Sequence, residues 1–107
     1  MLTKRQVAIL QKMAEAFTAG HFDEAELVQE GIFVYRGIAR IGIKTLHAFI
    51  DHGVVSLSAF PDSKIKRYMV NELGRFVARK PEMSDKVWLQ FRSGRPFTIL
   101  YDEIVEL

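Results

Sequence analysis

Apolar positions in the first twenty residues recur at the spacing of one helical face: Val7, Leu10, Ala14 and Phe17 follow one another at three or four residues. Thr3 and Gln6 have the form of a capping box ahead of that run, and Gly20 follows it, so a helix over about residues 4–18 is predicted. A second start at Asp23, with Glu26 three residues on and Ala25, Leu27 and Val28 supplying apolar contacts, predicts a short acidic helix that ends by Gly31. Ile32-Phe-Val-Tyr35 places four β-prone residues between glycines and is compatible with a strand or with a buried helical continuation. From Ile38 to Ile50 the positions Ile38, Ile41, Leu46, Phe49 and Ile50 return to helical spacing, and Gly53 stands just past the end of this third helix.

After Gly53 the period changes to two. Val55, Leu57 and Ala59 alternate with Ser56, Ser58 and Phe60, Pro61 to Lys64 has turn composition, and Ile65 to Val70 alternates again, which predicts a hairpin. Asn71 is placed to cap a further helix, Glu72 to about Arg79, stopped by Pro81. A second hairpin is predicted from Lys86 to Tyr101: Val87, Leu89 and Phe91 alternate with Trp88, Gln90 and Arg92, Ser93-Gly94 makes the turn, and Phe97, Ile99 and Tyr101 return.

Composition narrows what this pattern builds. The 107 residues make one domain's worth of chain, 49% hydrophobic and 26% charged, the balance of a folded domain rather than a disordered one. The absence of cysteine excludes disulfides and thiolate metal sites and fits a reducing, cytoplasmic compartment. No apolar run approaches the roughly 20 residues of a membrane span. The net charge of +2 conceals an asymmetry: residues 36–86 carry ten Lys/Arg against five Asp/Glu, between flanks in which acids outnumber bases. A basic middle is a reason to test a polyanion partner, although on charge alone solvated helix and strand faces are the favoured explanation.

The order helix, helix, helix, strand, turn, strand, helix resembles a winged helix-turn-helix domain of the kind found in bacterial transcription regulators such as the MarR and PadR families. The residues that carry the resemblance are Gly37-Ile-Ala-Arg-Ile-Gly-Ile-Lys-Thr-Leu-His-Ala-Phe-Ile-Asp-His-Gly-Val-Val55, similar to a recognition helix and its exit, and Tyr68-Met-Val-Asn-Glu-Leu-Gly-Arg75, similar to the ending that follows a wing. The resemblance implies an α+β chain with a winged helix-turn-helix domain over residues 1–80. It leaves residues 81–107 as a C-terminal β-hairpin extension, packed on that domain or forming an interface. It further implies a homodimeric regulator of bacterial or phage origin that reads double-stranded DNA.

A recognition helix buries one face and turns the other to the major groove, so its outer positions should reach phosphates or base edges. With Ile43, Leu46 and Ile50 inside, Arg40, Lys44, Thr45 and His47 are the candidate readers, with Arg36 just before them. Lys64, Lys66 and Arg67 are the candidate backbone contacts of the wing. For each one the plain alternative is a solvated surface side chain. Catalysis is not expected. His21, Asp23, Glu24 and Glu26 are explained as capping and first-turn charges, and His47 with Asp51 supplies at most two metal ligands. No phosphate loop or nucleophile motif occurs, so no cofactor is expected. The competing reading is a protein-binding module, including an inhibitor of a host complex of the phage type, that docks through the aromatic C-terminus. Trp88, Phe91, Phe97, Ile99 and Tyr101 are its candidate interface residues.

Overall fold

Thr3 opens the first helix by the reciprocal bonding its spacing foretells. Its Oγ1 accepts from the Gln6 N–H at 3.1 Å, and the Gln6 Oε1 accepts from the Thr3 N–H at 2.9 Å. The helix that follows, α1 (Lys4–Thr18), buries Leu10, Met13 and Ala16. The computed structural model describes residues 1–58 and 64–107, and the chain is α+β.

The segment read as a second helix is a strand. Residues 21–25 make isolated turn bonds, Glu24 N–H to His21 O and Ala25 N–H to Phe22 O, and the chain then extends as β1 (Glu26–Glu30). Glu26-Leu-Val-Gln-Glu30 fits either period, and pairing decided between them. β1 is bonded on one side to β2 (Phe33–Arg36) and on the other to β5 (Ile65–Val70), which satisfies its backbone while Leu27 becomes fully buried. Ile32-Phe-Val-Tyr35, open between two readings, thus forms a turn and most of β2.

The third predicted helix begins five residues later than expected. Ile38 is fully solvent-exposed at a turn after Gly37, whose φ of +58° suits glycine, and β3 (Ala39–Ile41) pairs back onto β2. The helix itself, α2 (Ile43–Asp51), buries Leu46 and Phe49 and exits through Gly53 at φ +68°, as the sequence predicts. β4 (Val55–Leu57) and β5 form the expected hairpin strands; of the predicted turn Pro61 to Lys64 only Lys64, and of the predicted strand neither Ala59 nor Phe60, falls within the described residues. The five strands form one antiparallel sheet in the order β3-β2-β1-β5-β4.

Asn71 caps α3 (Glu72–Arg79) as predicted, its Oδ1 accepting from the Gly74 N–H at 2.8 Å. Its Nδ2 donates to the Gly53 carbonyl and to the Ser56 hydroxyl, both at 2.9 Å. One side chain therefore ties the start of α3 to the end of α2 and to β4. Gly74 lets the helix come this close, since a Cβ there would collide with the Val54 carbonyl oxygen.

Pro81 ends α3 and opens a single 3-10 turn, Pro81–Met83, which leads into α4 (Ser84–Ser93). The predicted strand from Lys86 is therefore helical. Val87, Trp88 and Phe91 also satisfy the i, i+1, i+4 spacing of a helical face, and burying Val87 uses that face. Gly94, read as a hairpin turn, is the left-handed C-cap of α4 at φ +71°. The true hairpin comes later, β6 (Phe97–Leu100) with β7 (Glu103–Glu106), joined at Tyr101 and Asp102 and separate from the main sheet. Its Ile99 and Ile104 pack on the core.

The two faces of the large sheet differ. Leu27, Val34 and Val70 share one face and are at most 1% exposed, which marks it as the helix-covered side. The register puts Val28, Tyr35, Arg40 and Arg67 in one row of the opposite face and Glu30, Phe33 and Ile65 in the next. On that face Phe33 is 41% exposed, and Val28, Tyr35 and Ile65 are half-buried.

Candidate binding surfaces

The eight candidate DNA contacts fall into three places rather than one. The last residue of β3, Ile41, lies in register with Val34, Gln29 and Lys66, so α2 starts at the end of the sheet where β5 begins. Lys44, the second residue of α2, therefore lies at the same end as Lys64 and Lys66, and His47 is exposed one helical turn beyond it. Thr45 is half-buried. Arg40 is not on the helix: it stands on β3, on the open sheet face, with its guanidinium carbon 4.5 Å from the centre of the Phe33 ring. Arg67 lies on that same face, tied to Glu26 at 2.7 Å. Arg36 is half-buried on the helix-covered side of β2 and donates to the Glu24 carbonyl at 3.5 Å.

Asp51, which a DNA-reading helix would hold toward phosphate, is instead the anchor of α4. Its Oδ2 accepts from Trp88 Nε1 at 2.8 Å, and its Oδ1 accepts from Arg92 at 2.9 Å. The Trp88 hydrogen bond holds the Asp51 carboxyl below its ordinary value, with the positive fields of Arg92 and His52 acting in the same direction and burial opposing them. Next to it, His52 is buried, its Nδ1 2.9 Å from the Ala48 carbonyl and its ring 6.0 Å from Trp88.

The candidate interface residues divide as well. Trp88 is half-buried and engaged with Asp51; Phe91 is 45% exposed and lies over Gly53, where a Cβ would come 2.6 Å from the ring. Ile99 packs on the core, and Phe97 is half-buried beside Asn71, Glu72 and Leu73. Tyr101 alone is almost wholly exposed, at 92%, and it holds a left-handed backbone with φ +50°. Asp102, also left-handed, is pinned by Arg79 at 3.2 Å, so the tip is braced from α3. Leu100 and Val105 flank it on the outward side of the hairpin. The interface candidates omitted Leu100 and Val105, because the hairpin turn lies eight residues later than predicted, at Tyr101-Asp102 rather than Ser93-Gly94, so the predicted return strand is the first strand of the pair. The apolar run Ile104-Val105-Leu107 was the available signal.

Among the described residues, no three His, Asp or Glu side chains gather where a metal ion could be held, and no helix is long and apolar enough to cross a membrane. No family model matches the chain, and neither a curated protein nor a solved structure matches it.

Proposed function

We propose that this chain is a non-catalytic protein-binding module that docks through the tip and outward side of its C-terminal hairpin. The observation that carries the reading is Tyr101. A bulky side chain in the left-handed region raises the energy of the fold, by about 1–3 kcal/mol for a sparsely populated conformation, and Asn or Gly would avoid much of that cost. Here it is held in water, with no side-chain hydrogen bond or ring contact among the described residues, next to exposed Leu100. Tyrosine is enriched at interface hot spots because it offers apolar area and a hydroxyl on two torsions. The partner that fits is a protein with an apolar pocket for the Tyr101 ring and a cation opposite Glu103, which shares the outward side with Leu100.

The test is photo-crosslinking from position 101 in the intact chain, with the same probe at exposed Glu82 as control. A crosslink specific to position 101, mapping to a pocket of that chemistry and lost on Glu103→Lys, supports the reading. No crosslink above the Glu82 control overturns it.

A second reading has one observation in its favour. Lys44, Lys64 and Lys66 stand at one end of the sheet, on α2 and on the start of β5, as a winged-helix DNA reader with a basic wing would require. In that reading the protein is a homodimeric regulator bound to duplex DNA. Anisotropy of random-sequence duplex across a salt series tests it. Binding that falls steeply with salt and is lost on joint Lys44→Ala and Lys66→Ala substitution supports it. Absence of binding at low salt removes it, and Tyr101→Asn separates the readings because only protein docking should respond.

A further inference from the structure

The open face of the five-stranded sheet is not used by either reading. A solvated face of an antiparallel sheet is ordinarily polar, yet this one carries Val28, Phe33, Tyr35, Ile65 and Met69. Its charges are few and balanced. Arg67 is neutralised by Glu26 within the face, and that leaves Arg40 and Glu30, neither of which has an ion-pair partner among the described residues. A neutral face with two aromatic rings gives a polyanion no net attraction, whereas one unpaired charge of each sign beside apolar residues is self-complementary.

We infer that this face associates with a second copy of itself about a two-fold axis. Arg40 stands on β3 in the row of Tyr35, and Glu30 stands two strands away on β1 in the row of Phe33. An axis parallel to the sheets that brings Arg40 of one copy opposite Glu30 of the other crosses the strand between them, β2, between Phe33 and Tyr35. The two aromatic residues therefore meet their symmetry mates at the centre while the ion pairs close around them. The overlap is small. Three strands about 4.8 Å apart and some five residues long at about 3.3 Å each cover a few hundred Å², less than the roughly 800 Å² per partner of a standard interface. The dimer is accordingly weak, dissociating in the micromolar-to-millimolar range.

Sedimentation velocity from about 10 µM to about 1 mM tests this, with circular dichroism as the check that each variant keeps the native fold. The expected result is a reversible monomer–dimer equilibrium that Glu30→Arg and Arg40→Glu each weaken by about tenfold or more, and that the double exchange restores. A monomer throughout that range overturns the inference. So does a dimer indifferent to both reversals, or one that the double exchange fails to rescue.

Discussion

The body of the molecule, from α1 through α3, and its C-terminal unit, α4 with the hairpin, are held together by different physics. In the body, Leu10, Met13, Leu27, Val34, Phe49, Phe76 and Val77 are fully buried, and side chains from three helices and the sheet meet in one core. In the C-terminal unit only Ser84 and Val87 are buried, while Leu89, Leu100 and Leu107 are more than half exposed. Beyond Val87, Ile99 and Ile104, which pack on the core, polar contacts attach it: Trp88 and Arg92 on Asp51 and Arg79 on Asp102, with Gln90 and Arg95 on Glu106 within the unit. Exposed pairs of this kind contribute about 0–1 kcal/mol each, against about 1.5–3 kcal/mol for each fully buried large apolar side chain. The lesson is a gradient of stability: the surface proposed to bind a partner belongs to the part that opens first.

Phe76→Ala should cost about 3–5 kcal/mol in urea unfolding and lower the transition seen by far-UV circular dichroism and by Trp88 fluorescence together, because the body supports both. Gly74→Ala forces α3 away from the Val54 carbonyl and should cost about 1–3 kcal/mol by the same measurement. Asn71→Ala removes the α3 cap and the bonds to Gly53 and Ser56, a loss of about 1–2 kcal/mol.

Smaller changes sharpen the contrast from the other side. Asp51 has a carboxyl held below 3.8 in the fold, so its contribution is fully present above about pH 4 and is lost as pH falls through the lowered value. Trp88 fluorescence should change in that acidic window before the body unfolds, and Asp51→Asn, which cannot titrate, should abolish that early step. If Trp88 and the far-UV signal change together in the wild type, α4 is not the weaker element. Tyr101→Asn should have the smallest effect on the fold and the opposite sign, raising stability by about 1 kcal/mol or less because Asn tolerates the left-handed turn. A fall in melting temperature would mean that Tyr101 has a structural role.

Elements with local signals could be read from the residues alone. Thr3 with Gln6, Asn71 with Pro81, and Gly53 each bond or constrain backbone within a few residues, so α1, α3 and the exit of α2 were legible, as were the β4 and β5 strands from their alternation. Tertiary structure decided Glu26-Leu-Val-Gln-Glu30 and Val87 to Phe91. Both stretches satisfy helical and extended periods, and the choice depended on whether a strand partner lay alongside. β1 found β2 and β5 on its two sides; residues 84–93 pair with no strand, and as α4 they bury Val87 against the core. The binding candidates followed the same rule. Residue type identified the cations and aromatics, but only the register could put Arg40 on the open sheet face, commit Asp51 to α4 and leave Tyr101 in solvent. Which side chains share a surface is a non-local property of strand pairing, and short-range spacing does not encode it.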